Sequence, residues 1–149
     1  MAVYTSVSDD KLAAFLSDYS LGKARAFKGI AEGVENSNYY LETETGRYIL
    51  TLFERRADPK DLPYFMAVKQ HLAEKAFPCP APIADREGNV LRELEGRPAV
   101  IVSFLDGLSP ARPNPAQCRS MGENLALMHA ALGDFEQTRS NALGPASWP

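Results

Sequence analysis

The sequence predicts a mixed α+β fold: a five-stranded antiparallel sheet with one helix inserted after the third strand. Two strands carry that prediction. Residues 47–53, RYILTLF, and 97–104, RPAVIVSF, are largely apolar on both faces, as strands covered on both sides must be. Between them, Phe65, Val68, Lys69 and Leu72 follow a helical spacing, so a helix interrupts the run of strands.

The elements read in order as follows. Ser8 can cap a helix whose first turn holds Asp9 and Asp10, where acids complement the positive end of the helix dipole. Leu12, Phe15, Leu16 and Tyr19 form its apolar stripe, and Leu21-Gly22 ends it. Residues 24–30 are weakly strand-like. The run GVENSN, from Gly33 to Asn38, collects residues that tolerate unusual backbone angles and expose polar groups. It suits a loop folded over phosphates, and it suits an ordinary hairpin loop equally well. Strand character resumes at 38–43, with Tyr39 and Leu41 alternating against Tyr40 and Glu42, and Thr45-Gly46 turns the chain into 47–53.

In that third strand Tyr48, Leu50 and Leu52 share one face and Ile49, Thr51 and Phe53 the other, so Thr51 is the small polar group of its face. A charged connection, 54–60, leads to Asp61, a plausible cap, and to Pro63 in the first turn of a helix ending near Lys75. FPCPAP, residues 77–82, cannot continue it. Strands at 83–85 and 90–94 are expected to form a hairpin through Glu87-Gly88-Asn89, and Glu95-Gly96 turns into 97–104. Residues 108–116 hold prolines and no large apolar side chain beyond Leu108, which reads as a linker. A last helix is expected over 117–132, with Met121, Leu125, Met128 and Leu132 on one face and His129 beside them as a structural side chain.

The bulk numbers exclude several classes. With 149 residues, 45% hydrophobic and 23% charged, the chain has the length and composition of one globular domain. A net charge of -3 and a pI near 5.4 give no electrostatic case for nucleic acid. No apolar run approaches membrane-spanning length, and no basic-then-apolar leader opens the chain, which points to the cytoplasm. Cys79 and Cys118 fit neither a metal spacing nor a disulfide framework and read as free thiols. The Walker-type phosphate loop, the dinucleotide fingerprint and the serine-hydrolase elbow are absent from the sequence, and His71 and His129 have no Ser or Cys partner. The residues by themselves offer a loop, a buried strand and a strand end. Because LGPASWP closes no element, the sequence is expected to be part of a longer protein.

Four stretches taken together resemble a known family: GIAEGVENSNYYLETETGRYILTLFE, HLAEKAFPCPAPI, RPAVIVSFLDG and LALMHAAL. In that order they resemble the N-terminal half of bacterial homoserine kinases related to aminoglycoside and choline kinases, which share a protein-kinase-like fold. The resemblance implies a kinase-like N-terminal lobe and hinge over residues 1–107, then a linker and the start of a second lobe over 108–149. It implies ATP and L-homoserine as substrates, with magnesium for the complete enzyme. The nucleotide would be held by Gly33, Val34, Glu35, Asn36, Ser37 and Asn38 over the phosphates, by Thr51, and by Ser103, Phe104 and Leu105 at the adenine. Many relatives carry a Lys where Thr51 stands, and Phe65, Met66, Ala67 and Val68 occupy the helix region expected to hold its acidic partner. No catalytic or metal-binding residue is assigned, since the family's catalytic loop has no match in the chain, and Asp106 and Asp134 are not candidates for it. Two alternatives stay open: a non-catalytic nucleotide-binding or interaction module, and a related kinase with another small acceptor. The sequence leaves the oligomeric state unknown.

Overall fold

The computed structural model describes residues 3–33, 35–54, 58–141, 144–145 and 148. Its centre is a mixed-length antiparallel sheet made of β1 (Ala24–Gly29), β2 (Asn36–Thr43), β3 (Arg47–Phe53), β4 (Pro82–Ile83), β5 (Arg92–Leu94) and β6 (Arg97–Ser103). The order across the sheet is β1-β2-β3-β6-β4, and β5 also pairs with β6. Because β3 occupies one edge of β6, β4 and β5 share the other: β4 lies along Ile101 and Val102, and β5 along Arg97, Pro98 and Ala99. The sheet thus has six strands where five were expected, in five lanes, because the last lane is filled by two short pieces.

That arrangement corrects the hairpin expected between 83–85 and 90–94. The turn forms, since Asp85 N–H donates to the Asn89 carbonyl and Gly88 N–H to that of Asp85. Its flanking strands nonetheless pair with β6 and not with each other. The physical reason is Asp85, whose carboxylate accepts from the amides of Glu87 (2.9 Å) and Asn89 (2.8 Å) and so closes the turn on itself. The chain on either side is left to the open edge of β6.

Alternation assigns the two faces of the sheet. In β2, Ser37, Tyr39, Leu41 and Thr43 are buried and the intervening residues are half-buried. The buried face joins Leu50, Leu52, Leu94, Ala99 and Ile101 to α1 (Asp9–Leu16), which contributes Leu12, Phe15 and Leu16, followed by Tyr19 and Leu21. Ser8 caps α1, accepting from Lys11 N–H at 3.4 Å. The opposite face is covered by α2 (Leu62–Glu74), whose Met66 packs on Val100 and Val102. The expected cap of α2 moves: Asp61 makes no side-chain cap bond, and Asp58 instead caps a 3-10 turn over Pro59–Asp61 by accepting from Lys60 N–H. Asp61 is held elsewhere, by Arg139 at 2.5 Å.

Residues 104–114 leave the sheet without regular structure and enter α3 (Pro115–Ala131), which starts two residues earlier than its apolar pattern suggests because Asn114 and Gln117 form a reciprocal capping box. No residue of α3 is buried, and Met121, Leu125 and Leu127 are 71%, 48% and 60% exposed.

One polar knot ties α1 to the sheet's far edge. Arg92 bridges Asp85 and Asp18, the latter at 2.7 Å, while Arg86 donates to the Ser17 carbonyl at 2.7 Å. Burial would raise the Asp85 carboxyl, but hydrogen bonds from Asn89, Arg92 and Glu87 outweigh it and hold the pKa at about 2, below its ordinary 3.8. A depressed carboxyl contributes stability that is present above its unfolded pKa and lost as pH falls through the folded one. Thermal unfolding followed from pH 7 downward should therefore show a loss of stability that begins near pH ~4 and continues toward pH ~2. Asp85→Asn should be less stable at neutral pH and lose that part of the acid dependence.

Candidate nucleotide site

The face of the sheet beneath α2 carries Asn38 and Thr51 of the residues the sequence singled out, and strand register puts this face in rows. Asn38, Thr51 and Val100 lie side by side, then Tyr40, Ile49 and Val102, and then Glu42 beside Arg47. Successive rows are two residues apart, about 7 Å. The first row borders the loop between β1 and β2, and the last borders the chain leaving β6. Its polar end therefore adjoins a loop and its apolar middle leads to a strand end. Such an ordered gradient suits a ligand that is anionic at one end and aromatic at the other.

The loop is shorter than expected. Asn36, Ser37 and Asn38 belong to β2, paired with Phe53, Leu52 and Thr51, because β3 is long enough to extend the ladder to them. What remains is 30–35, closed by the Ile30 N–H donating to the Asn38 carbonyl at 2.9 Å. Val34 lies outside the described residues. Gly33 has φ +110, a conformation that L side chains rarely adopt, and a Cβ there would lie 3.7 Å from Asn38 Nδ2. Gly33 thus lies against the Asn38 amide, and Glu35 is exposed.

Thr51 does not stand alone in this row. Its hydroxyl donates to Asn38 Oδ1 at 2.8 Å, which fixes the amide and leaves Nδ2 toward Gly33. Ser37 takes a different part from the one expected: alternation turns it to the buried face, where it is 0% exposed and engaged with Tyr4, Thr5 and Glu54. Its hydroxyl is therefore unavailable on the face that carries Asn38 and Thr51.

At the other end, Ser103 is clamped to the proline-rich segment. Its N–H donates to the Ala81 carbonyl, and its Oγ accepts from Ala81 N–H, both at 2.9 Å. Phe104 N–H donates to the Arg47 carbonyl at 3.1 Å. The Phe104 ring takes the Tyr40 ring edge-on at 5.7 Å between centroids, and the Arg47 guanidinium lies 5.0 Å from its centre. Arg47 also reaches Asp106 at 2.9 Å, which binds the departing chain back to β3. Leu105 is the first residue free of this clamp: among the described residues its N–H makes no hydrogen bond, and its side chain is 46% exposed. Tyr40, Arg47 and Asp106 were not anticipated as neighbours of the site. The register of a hairpin turning at Thr45-Gly46 places Tyr40 opposite Ile49, but nothing in the sequence places Asp106 against Arg47.

The chain belongs to the phosphotransferase enzyme family. It matches that family over residues 26–149. It is 68% identical over 148 residues to a homoserine kinase of Hyphomonas neptunium and 57% identical to one of a Caulobacter species. These matches cover 99% of the chain but only 45% and 46% of the relatives, so the chain spans less than half their length. Among solved structures it resembles a spectinomycin phosphotransferase in complex with ADP and spectinomycin, with a TM-score of 0.70 and 14% identity over 95% of the chain and 44% of that protein. The shared sheet and helices are the N-terminal, kinase-like lobe of this family's fold.

The resemblance leads to the expectation of a Lys on β3 and an acid on α2, and neither stands among the residues that pack this face. Thr51 stands on β3, and the buried α2 residue over the same face is Met66. The two changes belong together, because a carboxylate on α2 without a cation opposite would be a buried unpaired charge. Among the described residues no group of three or more His, Cys, Asp or Glu side chains could hold a metal ion. No helix among them is long and apolar enough to cross a membrane. Met66→Glu should destabilise the fold by about 3–5 kcal/mol, and adding Thr51→Lys should recover part of that loss. Urea unfolding of the single and double variants measures the coupling.

Proposed function

We propose that this chain is the nucleotide-binding lobe of a homoserine kinase, which transfers the terminal phosphoryl group of ATP to the hydroxyl of L-homoserine in threonine biosynthesis. The observation that supports it best is the graded face from the loop over Asn38 and Thr51, past Ile49 and Val102, to the open amide of Leu105. The 68% identity to a homoserine kinase across the whole chain supports the choice of acceptor, and the ADP bound by the spectinomycin phosphotransferase supports the choice of nucleotide.

In this reading the backbone of the loop over residues 30–35 covers the phosphates. Gly33 permits the fold of the loop, and the Asn38 amide, oriented by Thr51, donates from below. Tyr40, Ile49, Val102 and Phe104 bound the adenine, whose edge meets the Leu105 backbone. Residues 1–107 form the lobe and hinge, and 108–149 begin the second lobe against which α3 would bury Met121 and Leu125. The hydroxyl of Thr51 supplies no charge, so the phosphate charge is met by magnesium and by cations outside this face. The metal would lower the charge repulsion against the attacking hydroxyl, and its ligands and the catalytic base would come from the rest of the relatives' length. With two cysteines unpaired and no spanning helix in the described structure, the enzyme would work in the cytoplasm.

The complete protein should turn over ATP in proportion to added L-homoserine and yield the O-phosphorylated amino acid, read by coupled ADP release and mass spectrometry. Turnover that is unaffected by homoserine would overturn the assignment. Thr51→Val keeps the side-chain shape and removes one hydrogen bond, so the KM for ATP should rise about fivefold while the KM for homoserine holds. Equal changes in both constants would show that Thr51 acts on the fold and not on the nucleotide.

A further inference from the structure

The cleft face explains how a nucleotide could be met, but it leaves open what keeps a short hairpin loop in shape before anything binds. The answer lies on the opposite face. Ser37, at the β2 root of the loop, is completely buried although its side chain is polar. Its Oγ accepts from the backbone N–H groups of Tyr4 at 2.8 Å and Thr5 at 3.0 Å, and donates to Glu54 Oε1 at 2.7 Å. The second carboxylate oxygen of Glu54 meets Arg97 Nε at 3.2 Å. Tyr39 donates its hydroxyl to the Thr5 carbonyl at 2.5 Å. The same N-terminal segment touches the β1 root as well: a Cβ on Gly29 would lie 2.8 Å from Val3 Cγ2, so the strand there leaves room for the segment and for nothing more. Val3 and Val7 add their side chains to the α1 core.

One extended segment is therefore pinned to both roots of the loop, and through Glu54 and Arg97 to β3 and β6. We propose that residues 3–7, through Ser37 and Tyr39, are a positioning element of the nucleotide loop. They hold the described loop residues, 30–33 and 35, in the binding conformation from the side that the nucleotide never touches. The proposal rests on the reading above that this loop covers the nucleotide.

The physics is that of preorganisation. Fixing a loop's backbone when a ligand arrives carries an entropic cost for each residue ordered, and a bracket that orders the loop in the free protein removes part of it. Ser37 suits the task because one hydroxyl can accept two N–H groups and still donate to a carboxylate, so a single small side chain joins three segments. None of these groups faces the cleft, and none lies near the chain leaving β6. The bracket should consequently act on nucleotide affinity alone.

The test measures the Kd of a fluorescent ATP analogue together with KM for ATP, KM for homoserine and kcat, in the complete protein. Ser37→Ala, Tyr39→Phe and removal of residues 1–5 should each weaken nucleotide binding about fivefold or more. The acceptor KM and the kcat at saturating ATP should stay within about twofold. Ile83→Val serves as a control for general loosening, since it touches the same core away from the loop; it should lower the melting temperature without moving the nucleotide Kd. Tyr39→Phe keeps the ring and is the variant most certain to fold. The proposal is overturned if these variants lower the melting temperature with nucleotide Kd unchanged, or if Ile83→Val weakens nucleotide binding as much. Failure of the parent protein to bind the analogue would overturn it as well. A protein that binds the analogue but does not phosphorylate homoserine would refute the functional reading while leaving this test intact.

Discussion

Leu50 and Leu52 are fully buried in a strand whose backbone is hydrogen-bonded along both edges, to β2 on one side and β6 on the other. That double pairing, with an apolar layer above and below, is the constraint from which the rest of the molecule takes its positions. β2 borrows its register from β3, and the register decides that Asn38 and Thr51 share one face while Ser37 is sent to the other. β6 borrows its position from β3 too, and so the chain leaving it passes beside Arg47. A one-residue slip of β3 would exchange the faces of every side chain it carries, taking Thr51 into the core and Leu50 into the cleft. Both faces are apolar, so burial alone does not forbid the slip. The polar groups at fixed positions do: Thr51 against Asn38, and Glu54 against Ser37 and Arg97, each satisfied in one register only.

The neutral cleft follows from a similar argument about what can be buried together. A lysine on β3 and a carboxylate on α2 would each need the other to offset desolvation. Replacing both by Thr51 and Met66 removes that mutual dependence and lets α2 pack as a plain apolar helix through Met66 on Val100 and Val102. The position of α2 is then free to be set from outside the sheet. His71 Nε2 lies 3.0 Å from both the Ala131 carbonyl and Asp134, Lys75 bridges to Asp134 at 2.5 Å, and Arg139 reaches Asp61 while lying over the Phe65 ring. The segment after α3 therefore grips both ends of α2.

How much of this was legible follows from the range over which each signal acts. The strands and helices were readable because alternation and helical spacing are local, and β3 and β6 are long. The placement of β4 and β5 was not readable, since it depended on Asp85 closing its own turn and on an unoccupied edge of β6, a non-local fact. Asp61 looked like a cap by its place before Pro63, but capping is a competition, and Arg139, seventy-eight residues away, supplies a stronger partner. At the site, the family resemblance pointed to the loop, Thr51 and the strand end. It could not show that Ser37 turns away from the cleft, because a loop reading assigns no face. Once β2 is known to start at Asn36, period-two alternation gives the answer.

The division of labour between the faces bears on how a one-sided cleft can be selective. Several buried polar groups are fully satisfied: Ser37 has three partners, Asp85 has four groups around it, and Ser103 is clamped twice, while the Tyr19 hydroxyl is the exception among the described residues, buried with no partner. The cleft face, in contrast, keeps its donors open at the Asn38 amide and the Leu105 backbone. Open donors on a rigid frame lose little entropy when a ligand takes them, and they leave unsatisfied any ligand that cannot accept. The frame must then come from the far side, since any contact that braced the loop from within the cleft would occupy the space of the ligand. In the proposed reading, Ser37 on the buried face and Asn38 on the open one, adjacent in sequence and opposite in direction, would divide those two tasks between neighbouring residues of a single strand.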